Sequence, residues 1–341
     1  MANLHMPLPQ NNYTQPKKTH RLATLIGLLV WFAVIGGLFV NRQNIVDWWK
    51  LRNYHPPAAV AELATQDNLT DFGRKVFYVN YPVIHDKKTF ASSCPNNGGE
   101  QTIILGCYHG VQNGIDLLSV SDNRLTGVVQ VTAAHEMLHA AYDRLSSSDQ
   151  KKVDAMLLDY YQHGLHDQRI MDTIDAYKKS EPKDIVNEMH SIFGTEIAQL
   201  PAGLEQYYKR YFNNRSVVAA FAAHYQEEFS SRQAAVKQDD IQLDALKTQI
   251  DSGEADLKTM QDQINSAQTQ LEAKRSAGDI AGYNALVPTF NALVRQFNGE
   301  VTAVQDLINQ YNKLVDERNA IAIEQQQLAN DLSTKAIPVK Q

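Results

Sequence analysis

Near the C-terminus, Tyr283, Phe290, Phe297, Val304 and Tyr311 recur at seven-residue intervals. On a helix they form position a of a heptad whose position d holds Leu286, Leu293, Leu307 and Leu314, with Glu300 as the exception. Position e carries Val287, Val294, Val301, Ile308 and Val315, which widens the apolar stripe. A strand cannot use that spacing, so the segment must be a long helix with an apolar face to cover. An upstream stretch offers the cover, with Leu243, Leu246, Ile250, Gly253, Leu257, Met260, Ile264, Ala267 and Leu271 at a matching 3-4 spacing. Residues 276–282, Ser-Ala-Gly-Asp-Ile-Ala-Gly, favour a turn between the two. Pro288 fits if the return helix starts near Val287, because proline is tolerated in a first turn. The expected structure is an antiparallel coiled-coil hairpin over residues 226–335. Its arms would reach roughly 70 Å at ~1.5 Å per residue. Such a rod is a rigid spacer or a self-association arm, so a coiled-coil partner is one expected class of contact.

The opposite end faces a different requirement. Residues 22–40 read LATLIGLLVWFAVIGGLFV, nineteen positions without a charge. A helix of that length rises roughly 28 Å, close to the ~30 Å hydrocarbon core of a bilayer. A cleaved signal peptide would have a shorter apolar run, and small residues where Asn41 and Arg42 stand. The segment is therefore expected to be an uncleaved single transmembrane helix. A disordered cytoplasmic tail over residues 1–21, rich in Pro, Asn and Gln, would precede it. A juxtamembrane linker over residues 41–60 would follow, with Trp48 and Trp49 at the interface. Lys17, Lys18 and Arg21 before the span balance Arg42, Lys50 and Arg52 after it, so charge leaves the orientation open. Cys94 and Cys107 bear on it. They flank the turn-rich Pro-Asn-Asn-Gly-Gly at 95–99, and a disulfide closing that loop is worth ~3 kcal/mol. A disulfide persists in an oxidising compartment, which favours a cell-membrane protein with its N-terminus cytoplasmic and residues 41–341 outside. Two unrelated buried thiols are the alternative.

Composition removes several classes. Of 341 residues, 43% are hydrophobic and 21% charged, which excludes wholesale disorder. A formal charge of −6 leaves no basic excess for phosphates, so no nucleic-acid partner is expected. Two cysteines exclude a four-cysteine zinc ribbon. Between the span and the rod, β-rich runs at 76–84, 102–108 and 115–120 give way to helices after Asp122. That order points to an α+β domain over residues 61–225.

The chemistry lies in Thr132-Ala-Ala-His135-Glu136-Met-Leu-His139-Ala-Ala. On a helix His135 and His139 project from one face a turn apart, a spacing at which two imidazoles bind one Zn²⁺ at ~2.0–2.1 Å. Glu136 is rotated ~100° from His135, too far to join easily as a ligand. It is placed instead to take a proton from a water whose pKa zinc has lowered toward ~7. Every position from Val128 to Tyr142 other than Glu136 is uncharged, so the helix is expected to be buried. A buried helix seldom carries two histidines and a glutamate unless something binds them.

Residues 132–141 resemble the zincin metallopeptidase signature. The resemblance covers roughly residues 70–225 and implies a small mixed sheet upstream of active-site helices, a third zinc ligand downstream, and peptide-bond hydrolysis. A metzincin would have Gly and His where Tyr142 and Leu145 stand, so that branch fails. Asn187-Glu188-Met-His190-Ser191 is similar to the third-ligand helix of gluzincins, which makes Glu188 the favoured ligand. Those enzymes carry a second acid where this chain has Ile192. Glu196, two turns beyond Glu188 with ~80° of angular drift, is the alternative ligand or the acid that orients a ligating histidine. His190 lies ~160° around the helix from Glu188 and is expected to pack away from the metal. His163 and His166 flank Gly164 in an expected loop. Among Tyr207, Tyr208 and Tyr211, Tyr208 is the candidate to stabilise an oxyanion, as the resemblance allows.

The reading that emerges is a membrane-anchored, zinc-dependent metallopeptidase acting on a peptide or protein laid along a sheet edge. The rival is a non-enzymatic envelope coiled-coil protein with a structural or degenerate zinc site. A zinc hydrolase of cell-wall peptides or amides would share the same site residues.

Overall fold

Helix α1 (Thr19–Val40) is apolar along its length, and α2 (Arg42–Leu51) follows it after the single residue Asn41. The computed structural model describes residues 2, 10, 19–94, 104–110, 113–180 and 182–333. Most of the expected tail at 1–21 thus lies outside the described residues, and Thr19–Arg21 belong to α1. Among the described residues no single helix is long and apolar enough to cross a membrane. The pair Thr24–Val40 and Arg42–Leu51, bent by 60° at the break, passes by length and composition together. Most of the linker expected at 41–60 is helical, over residues 42–51 and 58–60. In α2, Gln43 Nε2 donates to Asp47 Oδ1 at 3.1 Å, one turn on. The chain divides into two compact units, Met1–His55 and Pro56–Gln341.

In the second unit, α3 (Ala58–Gln66) leads into α4 (Asp71–Tyr78), whose first turn is capped by Thr70 accepting from the Gly73 amide at 3.0 Å. The expected strand at 76–84 is therefore corrected: residues 76–78 end a helix, with Val76 and Phe77 buried together on its inner face. Only β1 (Val83–His85) remains of that run. After α5 (Lys87–Ser93) come β2 (Gly106–Tyr108) and β3 (Ile115–Leu118). The sheet order is β1-β3-β2, with β1 parallel and β2 antiparallel to β3. It is the small mixed sheet expected, shorter than the β-rich runs suggested, in a unit that is mostly helical.

Helix α6 (Val128–Tyr142) runs through the middle of this unit. Gly127 starts it at φ +103°, and a Cβ there would lie 2.9 Å from the Phe221 backbone, so glycine is required twice over. Val131, Ala133, Ala134, Met137, Leu138, Ala140 and Ala141 are buried on one half of the helix, and Val128, Thr132, Glu136 and His139 are buried on the other. Of the helices that follow, α9 (Ile185–Glu196) packs on α6; α7 (Ser147–His163) and α8 (Gln168–Ser180) pack on α9, and α10 (Ala202–Tyr208) packs on α7.

Two long helices complete the chain, α11 (Ser216–Ser276) and α12 (Ile280–Leu332). They form the antiparallel hairpin read from the heptads, with the turn at Ala277–Asp279 and Gly278 at φ +70°. Two boundaries differ from expectation. Helix α11 starts ten residues before 226, because Val218, Ala219 and Ala222 fill the core beneath α6. Helix α12 starts at Ile280, so Pro288 sits inside it rather than in its first turn. At Gly253 the arms approach closely: a Cβ there would lie 2.5 Å from Val304 Cγ2. Glu300, the exception in the heptad, faces the same glycine. At the base of the rod Leu328 and Leu332 pack on Leu125 and Val128, just ahead of and at the start of α6.

Candidate metal centre

Because α6 is buried all round, its polar side chains must be satisfied inside the protein. His135 and His139 turn toward α9, and their Nε2 atoms lie 3.0 Å apart. Glu188, in the first turn of α9, completes the group. Its Oε1 is 3.5 Å from His139 Nε2 and its Oε2 is 3.7 Å from His135 Nε2. One donor atom from each of the three residues falls within 4.8 Å of the others. Close approach of α6 and α9 makes this possible. At Gly194 a Cβ would lie 2.3 Å from Leu138 Cδ1 and 2.8 Å from Tyr208 Cε1, so a larger residue would have to push those side chains aside.

The three side chains suit a divalent cation on their own chemistry. Glu188 is 6% exposed, and its Oε2 has no hydrogen-bond partner among the described residues. A buried carboxylate oxygen left in that state is costly unless a cation meets it. Burial pushes the Glu188 carboxyl upward, but the imidazoles of His139 and His135 outweigh it and hold the group below its ordinary range. Two imidazole nitrogens and one carboxylate, leaving room for a further ligand, form a donor set that zinc accepts.

Glu136 faces another way. A Cβ on Gly106 would lie 2.8 Å from both Glu136 Cγ and Oε1, so this carboxylate rests on the edge strand β2. The acid beside the histidines therefore looks toward the sheet, while the clustered imidazole nitrogens look toward α9. Nothing in the sequence marked Gly106 as a neighbour of Glu136; the contact joins residues 30 apart through the packing of β2 on α6.

Other expected residues sit elsewhere. Glu196, at the last position of α9, accepts from Arg169 at 2.7 Å and Gln226 at 2.9 Å through Oε2, and is not one of the clustered donors. The 80° drift over two turns carries it to a different face, so neither role expected for it is seen. Tyr208 is wholly buried and donates its hydroxyl to the His190 carbonyl at 2.6 Å. The hydroxyl is thus committed to the backbone of α9, and the oxyanion role falls away. His190 packs among Tyr142, Tyr207 and Tyr208, with Nε2 2.9 Å from the Tyr207 hydroxyl. Burial and the nearby charges of His139 and His135 push its pKa down to about 3, so it is neutral at physiological pH. His163, the last residue of α7 rather than a loop residue, pairs with Asp159 in solvent, and His166 is exposed. Cys94 and Cys107 are joined as a disulfide with Cα atoms 6.1 Å apart. It ties the end of α5 to β2.

The chain matches no protein-family model, no curated protein and no solved structure. What it does has to be argued from this site.

Proposed function

We propose that this chain is a zinc-dependent metallopeptidase, anchored by its N-terminal apolar segment with the catalytic unit outside the cytoplasm. The observation that carries the reading is the meeting of His135, His139 and Glu188 beside a separately oriented Glu136. These three would hold the metal, which when bound supplies a Lewis acid and lowers the pKa of water toward ~7. Glu136 takes a proton from the attacking water and returns it to the departing amine, the two tasks of one general acid–base group. Strand β2 is an edge of the sheet, so an extended peptide can add beside it and present its backbone to Glu136. Buried helices on the other sides of the site limit access of solvent.

A structural zinc site would need a fourth protein ligand to close it. Glu196, the residue expected for that role, is held by Arg169 and Gln226 instead, which supports the catalytic reading over the envelope-scaffold one. The Cys94–Cys107 bond supports placement in an oxidising compartment.

The test uses the full chain in detergent. The disulfide-intact protein should carry about one zinc and cleave an unstructured polypeptide. Glu136→Gln should retain the zinc and lose about 10²–10⁴-fold in cleavage rate. Cleavage at the wild-type rate by that variant would overturn the base assignment.

A further inference from the structure

A second cluster of metal-ligating side chains lies on the sheet, outside the site just described. Asp116, in the central strand β3, stands between two histidines. His85 Nε2 is 2.6 Å from Asp116 Oδ1, and His109 Nε2 is 2.6 Å from Oδ2. Cys107 is the register partner of Asp116 across the antiparallel ladder, so both side chains leave the same face of the sheet. Its sulfur is 3.5 Å from His109 Nε2. Cys94 reaches the same spot from the end of α5.

Donor atoms from Cys94, Cys107, His109 and Asp116 all lie within 4.8 Å of one another. A tetrahedral zinc with bonds of ~2.0–2.3 Å separates its ligands by roughly 3.3–3.8 Å. The two sulfurs must part from covalent contact to that spacing, and the His109–Asp116 pair must open by about 1 Å. Cα atoms 6.1 Å apart allow the sulfurs to do so by side-chain rotation, without separating α5 from β2. Supporting features are already built. Cys94 is buried against Phe90 and Leu118, which shelters one sulfur, while the His109 side chain is 36% exposed and leaves an entry path. His85 can donate to Asp116 Oδ1 and orient the carboxylate, leaving Oδ2 toward the cluster.

We infer that reduction of the Cys94–Cys107 bond turns this corner of the sheet into a second zinc site, with Cys94, Cys107, His109 and Asp116 as its ligands. The step balances. Two equivalents of a thiol reductant donate two electrons and two protons, break the S–S bond and leave as their own disulfide. Zinc then displaces the two cysteine protons, which are released to solvent. The ladder between β2 and β3 brings His109, Asp116 and Cys107 together in either state, so the clip on β2 changes from covalent to metallic as the surroundings become reducing.

The full chain in detergent is reduced with a thiol, freed of reductant under anaerobic conditions, and dialysed against zinc. It should bind one more zinc than the disulfide form, with sulfur scatterers at ~2.3 Å in the zinc X-ray absorption spectrum. Cys94→Ser should remove the extra zinc, and His109→Ala and Asp116→Asn should each weaken it at least tenfold. No additional zinc on a reduced chain whose circular dichroism is unchanged would overturn the inference. So would additional zinc that His109→Ala and Asp116→Asn bind as tightly as wild type, or a reduced chain that unfolds and is not restored by zinc. The sulfur signal cannot come from His135, His139 and Glu188, so this result and the peptidase test fail or succeed separately.

Discussion

Gly106→Ala is the sharpest test of how the sheet meets helix α6. The added methyl would lie 2.6 Å from Thr132 Cγ2 and 2.8 Å from Glu136 Cγ and Oε1. Ordinary carbon contacts lie at ~3.5–4.0 Å, so about 1 Å of movement is required. Thr132 cannot give way easily. Its hydroxyl is tied to the Val128 carbonyl at 2.8 Å, and a β-branched side chain is stiff at χ1. Either β2 rides outward against its ladder and the Cys107 tether, or the Glu136 carboxylate rotates. In the proposed mechanism both outcomes misplace Glu136 relative to a peptide on the β2 edge, and a 1 Å error of that kind can cost ~10²-fold in rate. The overpacking should lower stability by about 1–3 kcal/mol. Zinc content should not change, because none of the three metal-binding side chains is among the atoms nearest that methyl. The assay pairs kcat/KM on an unstructured polypeptide with zinc stoichiometry and thermal melting. Gly299→Ala serves as control, since nothing lies within 4 Å of its Cβ position and alanine is the better helix former. A folded Gly106→Ala protein with undiminished kcat/KM would refute the placement of Glu136 against the edge strand.

Two further predictions concern buried titratable groups. His190 is pushed down to about 3, while in the unfolded chain it takes up a proton near its usual 6.5. Its contribution to stability is therefore complete above pH 6.5 and falls as the pH drops toward 3, at about 1.4 kcal/mol per unit. His190→Gln should be less stable at pH 7, but with the gap to wild type narrowing by about 2–3 kcal/mol between pH 6.5 and 4.5 in denaturant titrations; a constant gap would contradict a neutral buried imidazole. Asp67 is 1% exposed, and neither carboxyl oxygen has a hydrogen-bond partner among the described residues. Burial raises its pKa well above the carboxylate range, so wild-type stability is fullest in acid and declines as the pH rises through that raised value. Asp67→Asn should thus gain on wild type between pH 4 and pH 8, by up to about 1.4 kcal/mol for each unit over which only the unfolded chain is ionised. Melting curves at several pH values that move in parallel would rule this out.

Periodicity and spacing made the rod and the His135–His139 pair legible, because both are local properties of a helix. The heptads fixed the direction and pairing of α11 and α12, yet not where α11 begins. Val218, Ala219 and Ala222 are buried in the core around α6 and break no rule of the helix they start. The strand expected at 76–84 failed for a related reason. Val76, Phe77 and Tyr78 have the side chains of a strand, but the Thr70 cap and the pocket under Val76 and Phe77 decide for a helix. Glu188 was favoured from local resemblance, and the structure sets it beside both histidines. Glu196 and Tyr208 could not be sorted by spacing, because Arg169, Gln226 and the His190 carbonyl reach them from other parts of the chain. Gly106 carried no signal at all, since its importance lies in what it leaves vacant beside α6.

The rod's two ends both return to the unit that carries the candidate metal centre, one through Val218 and Ala222 and the other through Leu328 and Leu332. It is therefore a closed loop of the protein rather than an attachment to it. Cutting the gene at residue 226 would strip Leu328 and Leu332 from Leu125 and Val128 and uncover part of the N-terminal end of α6. A shorter version that keeps the site has to lose whole heptads in equal numbers from both arms near the tip, with Gly253 kept opposite Val304.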